Sequence, residues 1–174
     1  KVILVVVTSL DGKTTKWNLL NVHDLSSEED QKYFFKTLNS NKTVIIGRKT
    51  FEVANPDIYK PPKKLRIVIT KNPKKYRALE VPGRLKFTNE SPKQILTGLE
   101  KQGFRQALLL GGAQINSLFL KQGLVTEVWQ TLEPKIFGSG NGLTSDQNLD
   151  IELKLLSSKK LNKNGTLLLK YKVL

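Results

Sequence analysis

The chain has 174 residues, 39% hydrophobic and 25% charged, which fits one soluble domain over residues 1–174 with length enough to bury a core. It holds no cysteine and one histidine, His23, so disulfides, thiol nucleophiles, thiolate zinc sites and histidine metal clusters are excluded; no metal is expected, and a reducing cytoplasm is the expected location. The net charge of +14, from 29 Lys and Arg against 15 Asp and Glu, favours anionic partners.

The first segment, Val2 to Thr8, is a continuous β-branched run and reads as a central strand buried on both faces. It is too short for a membrane span, which needs roughly 18 apolar residues, and it reads as a strand rather than a signal peptide. "SLDGKTTKW" leaves it as a loop. Ser26 or Ser27 caps a helix over "EEDQKYFFKTLN", whose first turn is acidic. "KTVIIG" is a short buried strand, and "RKTFEVA" adds one or two helical turns. "PPKK" breaks the chain before the strand "LRIVIT", and "RLKFTN" is a further strand candidate. Ser91, Pro92 and Gln94 supply a cap, a first-turn proline and a capping-box partner for a helix ending near Gly103. "RQALLL" is a strand, "AQINSLFLKQG" a helix, and "LVTEVWQTLEP" an alternating strand. "IELKLLSSKKL" and "TLLLKYKVL" form an antiparallel hairpin around "NKNG".

Strands alternating with helices, closed by a hairpin, predict a three-layer α/β domain. Its sheet is mixed and mostly parallel, with helices on both faces and an antiparallel C-terminal edge. Ligands in such sheets sit outside the carboxyl ends of the strands. Three ends carry phosphate-compatible chemistry. Gly47, Arg48, Lys49 and Thr50 place two cations and a hydroxyl at a helix start. Thr70 and Lys71 offer a hydroxyl and an ammonium. Gly111 and Gly112 open a helix with bare backbone N–H groups. The glycines make a tight turn, let a phosphate approach the backbone, or both. Three such ends suit an extended, multiply phosphorylated ligand, such as a dinucleotide with a 2′-phosphate. The G-x-G-x-x-G fingerprint and the P-loop pattern are both absent.

"VIIGRKTFE" together with "LLLGGAQI" resembles dihydrofolate reductase. "VTSLDGKTT" and "GLVTEVWQTLEPKIFGSG" are more similar to the C-terminal reductase domains of riboflavin-biosynthesis pyrimidine reductases. The resemblance covers nearly the whole chain. It implies a dihydrofolate-reductase-like fold, NADPH as hydride donor, a homodimer, and a heterocyclic or ribosylamino-pyrimidine substrate, phosphorylated or not. By the same resemblance Arg48, Lys49, Thr50, Thr70 and Lys71 lie near the adenosine phosphates. Gly111, Gly112, Ala113, Gln114 and Ile115 match the diphosphate-cradling turn, Thr8 lies near the nicotinamide, and Gly47 is a further cofactor-binding position.

On the substrate side, the resemblance to dihydrofolate reductase implies an acid on the first helix. Alignment without gaps from "GRKT" puts Gln31 there, and a one-residue slip puts Asp30 there. Asp30, and Asp11 in "SLDGK", are the candidate catalytic and substrate-binding acids, with Ser27 beside Asp30 for substrate binding. Each has a plainer reading: Asp30 as a first-turn carboxylate facing the helix dipole, Asp11 as an Asp-Gly turn residue. His23 reads as a surface loop residue, and Trp17 either walls the pocket or covers core. Two positions depart from the pyrimidine reductase pattern. Leu110 stands where an acid precedes the glycine pair, and Leu25 where a tryptophan precedes the helix cap. Both remove substrate contacts. Dihydrofolate reduction is therefore the alternative activity. A silent cofactor-binding domain or a basic nucleic-acid module is the alternative of another class. The lysines are spread along the chain without a basic helix or aromatic-studded strand, which speaks against nucleic acid.

Overall fold

The computed structural model describes residues 1–19, 24–54, 64–145 and 148–174; His23 lies outside the described residues. Eight strands and four helices follow in the order β1 (Val2–Ser9), α1 (Glu28–Asn39), β2 (Thr43–Gly47), α2 (Arg48–Ala54), β3 (Leu65–Ile69), β4 (Leu85–Thr88), α3 (Pro92–Lys101), β5 (Ala107–Leu109), α4 (Ala113–Lys121), β6 (Glu127–Glu133), β7 (Leu153–Lys160) and β8 (Leu167–Val173). A 3₁₀ helix over Pro73–Leu79, which the sequence reading does not anticipate, links β3 to β4. All strands join one sheet in the order β4-β3-β2-β5-β1-β6-β8-β7. The first six are parallel; β8 runs antiparallel to β6, and β7 to β8.

Alternation along the strands decides which helix covers which face. Leu4, Ile45, Ile67 and Leu109 point to one side, where they meet Ile95 and Leu99 of α3 and Phe119 of α4. Ile3, Val5 and Leu108 point to the other, against Phe34 and Leu38 of α1. Further along that side, Ile46 and Val68 pack with Phe51 of α2 and with Tyr76 of the 3₁₀ helix. Burying one such leucine or phenylalanine fully contributes about 1.5–3 kcal/mol, so these clusters set the layer order. The expected three layers are present.

Local chemistry sets the helix starts. Ser27 is the cap of α1 and accepts from the Asp30 N–H. Ser91 and Gln94 form the expected capping box at α3, with Pro92 in the first turn. Strand β7 is different: all eight of its residues are exposed, Leu153, Leu155 and Leu156 among them. Among the described residues no helix is long and apolar enough to cross a membrane, and no group of three His, Cys, Asp or Glu could hold a metal ion.

Candidate active site

The sheet order brings the predicted strand ends together. β3, β2 and β5 are neighbours, so Thr70, Gly47 and Gly111 end up side by side. β1 follows, then β6, where Ser9 registers with Glu133. Four inter-strand steps of about 4.8 Å separate β3 from β6, about 19 Å in all. Cations and bare amides gather at the β3–β5 end of this row, and acids at the β1–β6 end.

At the first end, Gly47 donates its N–H to the Gly111 carbonyl at 2.6 Å. The Gly111–Gly112 peptide is cis. Gly111 has a φ of +87°, where L side chains are strained, and a Cβ there would stand 3.3 Å from Asn116 Oδ1. Gly112 has an ordinary φ of −71°, but a Cβ would stand 3.0 Å from Thr50 Oγ1. The protein itself thus supplies a reason for both glycines. What faces outward is backbone: Gly112 caps α4 without a side chain, and the N–H groups of Gly112, Ala113 and Gln114 find no backbone acceptor among the described residues. Ile115 packs beneath the turn against the core, its Cγ1 2.9 Å from where a Cβ on Gly47 would lie.

Arg48 is already engaged. Its Nη1 donates to Glu52 Oε2 at 2.6 Å, one helical turn on, and Glu52 Oε1 accepts from the Tyr76 hydroxyl at 2.6 Å. The Tyr76 hydrogen bond, ahead of the neighbouring Arg48, holds the Glu52 carboxyl below its usual range. Lys49 and Lys71 are exposed. The Thr70 hydroxyl accepts from the Asn72 N–H at 3.3 Å, shaping the turn after β3. Thr8 is fully buried and its Oγ1 accepts from Gln130 Nε2 at 2.8 Å, so the Thr8 hydroxyl is committed to the core.

At the second end, Asp11 is an organiser of loops. Its carboxylate accepts from Ser9 Oγ at 2.6 Å and from the N–H groups of Phe137 at 3.2 Å and Gly138 at 2.8 Å. The Ser9 hydrogen bond, then these amides, holds it below the usual carboxylate range. Trp17 is exposed, with its indole N–H donated to the Phe137 carbonyl at 3.2 Å. Asp30 is 5% exposed and takes the Ser26 hydroxyl at 2.6 Å. Burial pushes its carboxyl up; the hydroxyls of Ser26 and Thr131 oppose the rise, and the charge of Glu133 adds to it. Glu133 is 1% exposed and accepts from the Ser27 N–H and from Thr166 Oγ1, each at 2.7 Å.

The amides, hydroxyls and cations at the β3–β5 end make a donor set suited to phosphate groups. With that geometry in place, comparison with known proteins places the chain. The family model of the RibD C-terminal domain matches residues 1–167. The chain belongs to the RibD C-terminal domain family. It is 28% identical over 166 residues to YwjB of Bacillus subtilis (strain 168), covering 91% of each. It superposes with a TM-score of 0.77 on a putative riboflavin biosynthesis protein from Shewanella sp. PV-4, at 22% identity over 99% of this chain and 98% of that one. A pyrimidine reductase-like protein from Corynebacterium diphtheriae gives the same TM-score at 16% identity, over 100% and 92%. The fold is dihydrofolate-reductase-like, as the motifs imply.

Within this RibD C-terminal domain, the two departing leucines belong to the core. Leu25 is fully buried, and Leu110 packs against the clusters beneath α1 and α2. Glu52, Asn116 and Glu133 line the candidate site and are absent from the sequence-based expectation. Glu52 carried a readable signal, its four-residue spacing from Arg48. Glu133 shares the face of Trp129 and Thr131 by strand alternation, but nothing local says that this face is buried.

Proposed function

We propose that the chain is an NADPH-dependent reductase that reduces a heterocyclic small molecule of the ribosylamino-pyrimidine kind. The observation that carries this reading is the row of strand ends, which has phosphate-binding donors at one end and a buried acid at the other. Family membership and the riboflavin-biosynthesis and pyrimidine-reductase names of the similar structures support it.

In this proposal the amides of Gly112, Ala113 and Gln114 hold the diphosphate, with Thr50 alongside. Arg48, Lys49, Thr70 and Lys71 hold the phosphate on the adenosine ribose. Thr8 is fully buried and supports the site from the core without touching the cofactor in this proposal. When bound, NADPH supplies the hydride. Asp30 binds the substrate heterocycle and carries the proton, at its carboxyl oxygens, that accompanies reduction. Ser27 orders the start of α1 so that Asp30 keeps its place. Asp11 enters as the carboxylate that fixes the loop around Phe137 and Gly138 rather than as a proton donor. A homodimer is part of the proposal, supported by the bare leucines of β7; sedimentation over a concentration series checks it.

The deciding experiment follows NADPH consumption with an aminopyrimidine ribosyl phosphate and with dihydrofolate side by side, with NADH as control. Consumption with the pyrimidine is the expected result. Consumption with dihydrofolate alone moves the chain to the alternative activity. No consumption with either, together with no NADPH binding by fluorescence titration, overturns the proposal.

A further inference from the structure

The seam between the start of α1 and the end of β6 holds two carboxyl side chains from facing elements, both almost wholly buried. Thr131 and Glu133 lie two residues apart on β6, on the face that Trp129 presents to Phe34 and Leu38 of α1. Glu133 reaches the Ser27 N–H, and Ser27 Oγ accepts from the Asp30 N–H at 3.3 Å. Asp30 and Glu133 are therefore joined through one capping residue.

The hydrogen-bond directions distinguish the two acids. Thr166 Oγ1 accepts from Asn162 Nδ2 at 2.9 Å, which turns the Thr166 hydrogen toward Glu133. Glu133 thus receives an amide hydrogen on one oxygen and a hydroxyl hydrogen on the other, the bonding of a carboxylate. Asp30 meets only hydroxyls, those of Ser26 and Thr131, which can accept as well as donate, and Ser26 Oγ also lies 3.4 Å from the Ser27 carbonyl. Ser26 Oγ is thereby able to accept the hydrogen of a protonated Asp30 Oδ2 while donating its own hydrogen to that carbonyl.

The other groups around the seam do not neutralise the pair. Tyr33, one turn along α1, has a buried hydroxyl with no hydrogen-bond partner among the described residues. Glu29 Oε2 accepts from Asn162 Nδ2 at 3.1 Å. Lys135, just past β6, donates to the carbonyls of Asp24 and Leu25 at 2.7 and 3.0 Å. Lys170 of β8 lies over the rings of Trp129 and Tyr33, at 3.9 and 5.8 Å. Among the described residues neither lysine forms an ion pair with Asp30 or Glu133. Burial first, and the charge of Glu133 in addition, favour the neutral form of Asp30 in this seam.

We propose that Glu133 is a positioning residue of the acid site, an anchored buried anion whose charge adds to the burial of Asp30 in keeping there the proton that the substrate needs. This deepens the proposed function and rests on the reading of Asp30 as the substrate-side acid. Glu133 touches neither substrate nor cofactor in this account. It acts through Asp30, by charge and by fixing the Ser27 cap.

The test is the titration of the Asp30 carboxyl carbon by NMR, in the unmodified protein and in Glu133→Gln. Glutamine keeps an acceptor for the Ser27 N–H and offers its amide to Thr166 Oγ1, so the change removes charge with little loss of shape. The unmodified protein is expected to keep Asp30 protonated above the usual carboxylate range. In Glu133→Gln the Asp30 midpoint falls, its proton affinity dropping about tenfold, and the alkaline limb of the pH–rate profile, where the rate falls as Asp30 loses its proton, moves the same way. A purely structural Glu133 would leave the midpoint in place. An unchanged Asp30 midpoint in folded Glu133→Gln overturns the proposal. If the variant does not fold, the unmodified protein decides: an Asp30 that titrates with ordinary carboxylates is equally fatal. The shift without any NADPH consumption would instead sink the reductase reading and leave the coupling of the two acids standing.

Discussion

Gly47 donates its amide hydrogen to the carbonyl of Gly111 at 2.6 Å, which draws the ends of β2 and β5 so close that neither tolerates a side chain easily. A Cβ on Gly47 would lie 2.9 Å from Ile115 Cγ1 and 3.4 Å from the Gly111 carbonyl oxygen. Gly47→Ala is therefore expected to cost about 1–3 kcal/mol by overpacking. Gly112→Ala meets only the Thr50 hydroxyl, at 3.0 Å and on a side chain with a second helical rotamer. Its stability loss should stay below about 1 kcal/mol, and NADPH affinity should fall about tenfold. Thermal unfolding and NADPH titration on both variants check this. A Gly112→Ala protein that binds NADPH normally would assign the glycine to architecture alone.

Arg48 shares its charge with Glu52, so the two substitutions should act in opposite directions on cofactor choice. Arg48→Ala is expected to narrow the NADPH preference over NADH by about one to two decades, the loss of a charge-assisted contact. Glu52→Gln releases the guanidinium and should widen the preference a few-fold. The half-exposed pair itself contributes only about 0.3–0.5 kcal/mol, so neither change should unfold the protein. Parallel titrations with both nucleotides measure the effect. A preference unaffected by Arg48→Ala would remove this residue from the phosphate site.

Burial raises the Asp30 carboxyl above its unfolded value, and this sets the sign of a pH effect. Between the unfolded and folded values the native state binds more protons, so stability falls as pH rises through that window. Asp30→Asn has no such slope. It should gain stability relative to the unmodified protein at neutral pH, with the gap closing below about pH 4. Turnover should fall by about two to four decades. Melting curves across pH test the first part, and parallel pH dependences of the two proteins would contradict it.

The Asp11 carboxylate accepts the amide hydrogens of Phe137 and Gly138, and its lowered pKa, caused first by Ser9, means that these contacts persist at neutral pH. They are lost as pH falls through that depressed value. Asp11→Ala should accelerate hydrogen exchange at the Phe137 and Gly138 amides and leave β1 protected. Unchanged exchange at both amides would show that the loop is held by other contacts, such as the Thr14 N–H to Asn141 carbonyl bond at 2.7 Å.

The elements were legible because their signals are local. β-branched runs, Ser27 with its acidic first turn, and the Ser91–Gln94 capping box depend on neighbours within a few residues. The paired motifs around Gly47 and Gly111 likewise marked two strand ends that prove to be neighbours in the sheet. Tertiary structure decided the rest, because it depends on which residues become neighbours through the sheet order. Only that order places β3, β2 and β5 side by side and turns three separate strand ends into one row. Only packing shows that Gly112 faces Thr50 and that the Thr8 hydroxyl belongs to Gln130. Glu133 is the clearest case. Strand alternation puts it on the face of Trp129 and Thr131, and the docking of α1 together with the segment carrying Thr166 buries it beside Asp30. A carboxylate's local sequence does not report the water it loses on folding, and burial is what raises the Asp30 carboxyl.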